Sequence, residues 1–104
     1  MKVVHLVLSN SFAGIEQHVN ELLTNINSVD TILICNKSIA KNFNSNISTI
    51  TIKNFGRRSI LGKYKLKKLI NKISPDIVHT HGSKTTSIIK SINNNAYKRV
   101  ATVH

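Results

Sequence analysis

Short apolar runs and helically spaced apolar positions alternate along the chain. The short runs predict strands, which lie at residues 2–8, 30–36, 47–53, 76–80 and 99–104. Apolar residues spaced three or four apart predict helices over 15–26, 59–73 and 83–92, with a short weak helix over 37–43. Pro75 is expected to end the helix that precedes it, because proline cannot continue one.

Alternating strands and helices are typical of an α/β protein with a parallel sheet and right-handed crossovers. We predict a Rossmann-like parallel sheet of about five strands in the order 3-2-1-4-5, with helices on both faces. Ligands bind such sheets beyond the carboxyl ends of the strands, where the strand order reverses. The residues of interest predicted to meet at that rim are Gly14, Glu16, His79, His81 and His104.

The rim residues also have plain structural explanations. Gly14 can be a simple turn residue, since its loop lacks the G-x-G-x-x-G spacing of a dinucleotide-binding turn. Glu16 can owe its place to the helix dipole, which favours a carboxylate in the first turn. His81 can be a helix-entry contact, while Gly82 and Ser83 help the next helix begin and leave its amides free for an anion. The residues alone leave these alternatives open.

The remaining histidines and the cysteine do not suggest a metal site. His5 lies inside the first strand and is interpreted as a core histidine. His79 and His81 form an H-x-H pair, but no H-E-x-x-H motif or Cys/His set accompanies them, so no metal is expected. Cys35 is the only cysteine; it excludes a disulfide framework and is interpreted as a buried strand residue in a reducing cytosol.

The charge balance favours anionic partners. Lys and Arg number 15 against four Asp and Glu, which gives a formal net charge of +11. Nucleic acid, anionic lipid and phosphorylated substrates all fit such a balance. The helix over 59–73 combines an apolar and a basic face, which favours a membrane surface, although the basic face can also simply be solvated. Few aromatic residues accompany its lysines, so nucleic acid is not the favoured partner.

Three segments together resemble a known family. They are MKVVHLVLSNSFAGIEQHVNELL at 1–23, SPDIVHTHGSKT at 74–85 and RVATVH at 99–104. In this order they resemble the N-terminal domain of family 4 glycosyltransferases, retaining enzymes of the two-domain GT-B architecture. The resemblance implies that residues 1–104 are a truncated, acceptor-side Rossmann-like domain and that the C-terminal donor-binding domain is absent.

The resemblance also assigns residues to the site. The family's Gly-Gly-x-Glu loop corresponds to Ala13, Gly14 and Glu16, with alanine in place of the first glycine. The family's T-x-H after the fifth strand corresponds to Thr102 and His104, and the resemblance makes His104 the catalytic contact to the transferred sugar. The substrate-binding set that it implies is Ala13, Gly14, Glu16, His79, His81, Gly82 and Ser83.

The implied parent enzyme transfers a sugar from a nucleotide-sugar donor to a cell-envelope glycan or a lipid-linked acceptor. It is expected in the cytoplasm or peripherally on the inner face of the plasma membrane, with no metal. The chain alone is expected to be inactive and to bind no cofactor, since a donor domain in the same or a separate chain is missing. The alternative is a small basic α/β module that binds nucleic acid or a phosphorylated ligand without enzymatic activity.

Overall fold

A computed structural model of the 104-residue chain describes residues 2–8, 14–24, 30–53, 55–56, 58–92 and 97–102. The strands are β1 (Lys2–Val7), β2 (Asp30–Asn36), β3 (Thr49–Ile52), β4 (Ile77–His81) and β5 (Lys98–Thr102). The helices are α1 (Gly14–Thr24), α2 (Ile60–Ile73) and α3 (Ser83–Ser91), with a 3₁₀ turn at Ala40–Asn42. All five strands form one parallel sheet in the order β3-β2-β1-β4-β5, so the predicted fold class and strand order are confirmed.

The end of β4 differs from the sequence prediction. The apolar pattern places the strand at 76–80, whereas the strand continues through His81. It continues because β5 pairs beside it as far as the partners His81 and Thr102. Both histidines of the H-x-H pair therefore lie within the regular strand and share one face of the sheet.

Each face of the sheet has its own apolar core. One core joins alternate residues of β1 and β4 to α2 and α3, and its members include Val4, Leu6, Val78, Leu66, Ile70, Ile88 and Ile89. The other joins the opposite face to α1 and the 3₁₀ turn, and its members include Val7, Leu33, Cys35, Val19 and Leu23. The side-chain period of two along a strand explains this division. Burying one such Leu or Ile side chain stabilises the fold by about 1.5–3 kcal/mol.

Local signals fix both ends of α2. Its N-cap is Ser59, whose hydroxyl accepts a hydrogen bond from the Gly62 amide at 3.1 Å. Its C-cap is Ser74, in the left-handed region with φ 54° and ψ 57°, and Pro75 follows at once. A side chain at Gly62 would overlap the ring of Phe55, so glycine lets that ring pack against the helix. None of the helices in the described part of the chain is long and apolar enough to cross a bilayer.

Candidate functional site

Two buried side chains secure the carboxyl end of β1. The Leu8 amide donates to the hydroxyl of Thr85 at 3.1 Å, and the Asn36 side-chain amide donates to the Leu8 carbonyl at 2.9 Å. Thr85 belongs to α3 and Asn36 is the last residue of β2. These bonds satisfy the backbone of Leu8 where the sheet ladder ends. They hold the ends of β1 and β2 and the start of α3 together at the carboxyl end of the sheet.

Three histidines meet on one face of the sheet near this carboxyl end. His5 of β1 is the register partner of His79 in β4, and His81 lies two residues further along the same strand. Nδ1 of His5 and Nε2 of His81 are 3.1 Å apart. The ring centroids of His79 and His81 are 4.2 Å apart, and that of His5 is 5.1 Å from His79. One ring nitrogen from each residue lies within 4.8 Å of the others.

The three rings differ in burial. His5 is 4% exposed and His81 is 2% exposed, whereas His79 is half-buried. Burial lowers the pKa of His5 to about 4, and the neighbouring His79 contributes to that shift by charge repulsion. Burial also lowers the pKa of His79 below its usual value. At neutral pH, His5 and His79 are therefore neutral imidazoles with one nitrogen lone pair each.

Thr102 of β5 completes the group. Its hydroxyl lies 2.5 Å from Nε2 of His79, which fixes the orientation of that ring. The carbonyl of Thr102 accepts a hydrogen bond from the Gly82 amide at 3.1 Å. The end of β5 is thus joined both to a histidine and to the turn that begins α3.

Gly82 has a backbone conformation that favours glycine. Its φ of 92° lies in a region that residues with a Cβ rarely adopt. Its carbonyl accepts from the amide of Thr86 at 3.1 Å and from the hydroxyl of Thr86 at 2.9 Å. The turn between β4 and α3 therefore depends on Gly82 for its shape, in addition to any role toward a ligand.

At the start of α1, Gly14 and Glu16 differ in their surroundings. Gly14 is exposed, and a Cβ added to it would meet no atom within 4 Å among the described residues. Packing within the described chain therefore does not require glycine there. Glu16 is only 3% exposed. A helix dipole favours a carboxylate in the first turn but does not require it to be buried, so the dipole does not fully account for Glu16.

The structure accounts for some of the predicted site residues. His79, His81 and Gly82 come together at the carboxyl end of the sheet, and the topology places the start of α1 at that same end. Ala13, His104 and the side chain of Ser83 lie outside the described residues.

Asp76, which directly precedes β4, lies at the opposite, amino end of the sheet. One of its carboxylate oxygens accepts a hydrogen bond from the Lys2 amide at 2.7 Å. This bond joins the starts of β1 and β4.

His5 is the residue that sequence reasoning missed. Its interpretation as a buried histidine is confirmed, but its two histidine neighbours were not foreseen. The signal lay in the register of β1 against β4, which an apolar run does not specify. His18, in contrast, is exposed on α1.

Comparison with known proteins identifies the family. Residues 5–104 match the family described as glycosyl transferase 4-like. No curated protein and no solved structure matches the chain. The matched residues extend from the middle of β1 past the end of β5 and include the whole histidine group. With a match over nearly all of its length and the strand order expected of such a domain, the chain belongs to the glycosyl transferase 4-like family.

Proposed function

We propose that the chain is the acceptor-side part of a glycosyltransferase that uses a nucleotide-sugar donor. The observation that supports this most is the family match over residues 5–104. The proposed acceptor is a cell-envelope glycan or a lipid-linked sugar. The donor binds mainly to a second domain, carried by the same or a separate chain, and the present chain is inactive without it.

In this proposal the carboxyl end of the sheet faces the cleft between the two domains. Among the described residues no atom crowds Gly14, which lets a phosphate or sugar group approach the first amides of α1 closely. His79, His81, Gly82 and Glu16 line the acceptor side, together with Ala13 and Ser83. His104 contacts the transferred sugar, where polar groups stabilise the charge that develops as the diphosphate leaves.

Genetic complementation tests this role. Deleting the gene should remove or shorten one glycan of the cell envelope, and the wild-type gene should restore it. Gly14→Glu should fail to restore it, because a carboxylate at the start of α1 repels the diphosphate of the donor. Asn46→Glu is the matched control, since Asn46 is also exposed and lies in the turn before the start of β3, at the opposite end of the sheet.

Equal folding of the two glutamate variants, measured by circular dichroism, makes the comparison fair. An unchanged glycan profile in the deletion strain would contradict the proposal. So would full restoration by Gly14→Glu. Turnover of a nucleotide-sugar by the purified chain alone would contradict the claim that a donor domain is required.

We also propose that the first turns of α2 bind an anionic membrane, the inner face of the plasma membrane. Ile60, Leu61 and Tyr64 are 84%, 64% and 62% exposed. Exposed lysines follow on the same helix at Lys65, Lys67, Lys68 and Lys72. Exposed apolar side chains beside basic ones suit the interface of an anionic bilayer. Duplex nucleic acid would use the lysines alone, so the apolar residues favour the lipid.

A groove beside this helix suits a lipid-linked acceptor. It has a volume of about 370 Å³ and lies between the end of β3 and the start of α2. Apolar side chains of Phe55, Leu61 and Leu66 line it together with the ammonium-bearing side chains of Lys53 and Lys65. Such a lining can hold a hydrocarbon chain and a phosphate at the same time.

Vesicle sedimentation tests the membrane contact. The chain should bind vesicles that contain phosphatidylserine and should bind much less to pure phosphatidylcholine. Replacing both Ile60 and Leu61 by serine should weaken binding at least tenfold, since about 0.8 kcal/mol is lost per buried CH₂. Val100→Ser is the matched control, because Val100 is also exposed but lies on β5.

Equal binding by the double variant and the wild type would contradict the apolar contact. Tighter binding to duplex DNA than to anionic vesicles, at the same ionic strength, would overturn the membrane proposal and favour a nucleic-acid-binding module.

A further inference from the structure

We propose that His5, His79 and His81 form a binding site for a divalent transition-metal ion of the Zn²⁺ class. The sequence offers only the pair at His79 and His81, too few ligands to predict a metal site, and the strand register supplies the third ligand. This inference concerns the chain as it stands and does not depend on its enzymatic role.

The backbone arrangement is the first observation that carries the proposal. Two ligands at i and i+2 of one strand and a third directly opposite on the neighbouring strand all point to one side of the sheet. Three histidines with a fourth position open to water or substrate are an established ligand set for zinc. The regular sheet holds the three Cβ atoms in place, so the site needs no loop to assemble it.

The distances are the second observation. A tetrahedral zinc ion with Zn–N bonds of about 2.0–2.1 Å places its ligand nitrogens about 3.3 Å apart. Nδ1 of His5 and Nε2 of His81 already lie 3.1 Å apart. One nitrogen from each of the three rings lies within 4.8 Å of the others. The stacked rings of His79 and His81, inclined by 20°, have to turn about their side-chain torsions to converge on one ion.

The surroundings of the rings are the third observation. The hydroxyl of Thr102 contacts His79 in the way that outer partners orient the histidine ligands of metal sites. On the other side of β1 in the sheet, the register partner of His5 is the apolar Leu33. The histidines therefore replace the apolar side chains that fill this face further along the sheet.

Access from solvent is also present. His79 is only half-buried, and its register partner on β5 is the exposed Val100. An ion can therefore reach the ligands from the β5 side without unfolding of the sheet. A water molecule or an anionic group can occupy the fourth position on that side.

Metal titration of the purified, chelator-treated chain tests the proposal. Isothermal titration with Zn²⁺ should show one ion per chain. Co²⁺ should bind at the same site and give the intense visible absorption of a tetrahedral ion. Saturating Zn²⁺ should raise the thermal unfolding midpoint, because the ion binds the folded chain preferentially.

Single substitutions locate the ion. His5→Leu, His79→Leu and His81→Leu should each weaken Zn²⁺ binding at least tenfold. His18→Leu is the matched control, since His18 is exposed on α1, and it should leave the affinity unchanged. Thr102→Val should weaken binding about tenfold through the orientation of His79.

Absence of Zn²⁺ and Co²⁺ binding by the wild-type chain would overturn the proposal without reference to any variant. Loss of binding in His18→Leu, or an octahedral Co²⁺ spectrum, would overturn it as an adventitious surface ion. Circular dichroism of each variant without metal separates loss of the site from loss of the fold.

Discussion

At the scale of single residues, Gly82 carries an unusual backbone conformation, with φ at 92° between β4 and α3. Gly82→Ala should lower the free energy of unfolding by about 1–3 kcal/mol, because a Cβ is strained in this region of φ. The midpoint of urea unfolding measures the change. Gly56→Ala, at an exposed glycine without positive φ, should change the midpoint little. Equal effects of the two substitutions would contradict a special role for Gly82.

Cys35 gives a second prediction at the same scale. It is fully buried in β2, and burial raises the pKa of its thiol to about 11. Because only the thiolate reacts, alkylation of the folded chain by iodoacetamide at pH 8 should be at least about a hundredfold slower than alkylation in urea. Mass spectrometry of the adduct over time measures both rates. Comparable rates would show that β2 opens readily.

Residue identities predicted some of this site and not the rest. The apolar run around His5 made its burial predictable. The meeting of His5 with His81 was not predictable, because these residues are 76 positions apart and depend on the register of two strands. The burial of Glu16 was not predictable either, since a first-turn carboxylate is usually solvated.

At the scale of elements, α2 depends on its N-cap. Ser59→Ala should lower the free energy of unfolding by about 1 kcal/mol, because the Gly62 amide loses its acceptor. Urea unfolding again measures the change. Ser87→Ala in the exposed part of α3 is the control and should be neutral or slightly stabilising. A neutral Ser59→Ala would mean that water replaces the cap.

The ends of helices and strands were predictable where a local side chain marks them. They were less predictable where pairing with another strand sets them. Pro75 is a local signal for the end of α2, and the predicted helix over 59–73 agrees with Ile60–Ile73. The extension of β4 to His81 depends on its pairing with β5, which no local pattern reports. Residues 37–43 contain only the short 3₁₀ turn Ala40–Asn42, in keeping with their weak helical pattern.

At the scale of the whole molecule, the excess of basic side chains is a source of charge repulsion. A net charge of +11 on a chain of 104 residues disfavours the compact state. The unfolding midpoint should therefore rise when NaCl increases from about 10 mM to about 150 mM, because the Debye length falls from about 30 Å to about 8 Å.

A charge-reversal variant checks this cause. Lys68→Glu lowers the net charge by two and places a carboxylate four residues before Lys72 on α2. Its unfolding midpoint should depend less steeply on NaCl than that of the wild type. An identical slope would mean that salt acts through apolar burial instead of charge.

The fold as a whole was the most predictable level. Alternating strand and helix patterns, together with the known handedness of parallel crossovers, leave few arrangements of five strands. That is why the strand order was predictable although the contents of the site were not.

The central position of β1 also has a consequence for the order of events during synthesis. β1 leaves the ribosome before the other four strands and can pair with β2 early, but its other neighbour, β4, ends only at residue 81. One edge of β1 therefore stays without its partner strand until β4 has been made. Pairing of strands so distant in sequence slows folding. A chaperone can therefore bind the unpaired edge of β1 during synthesis.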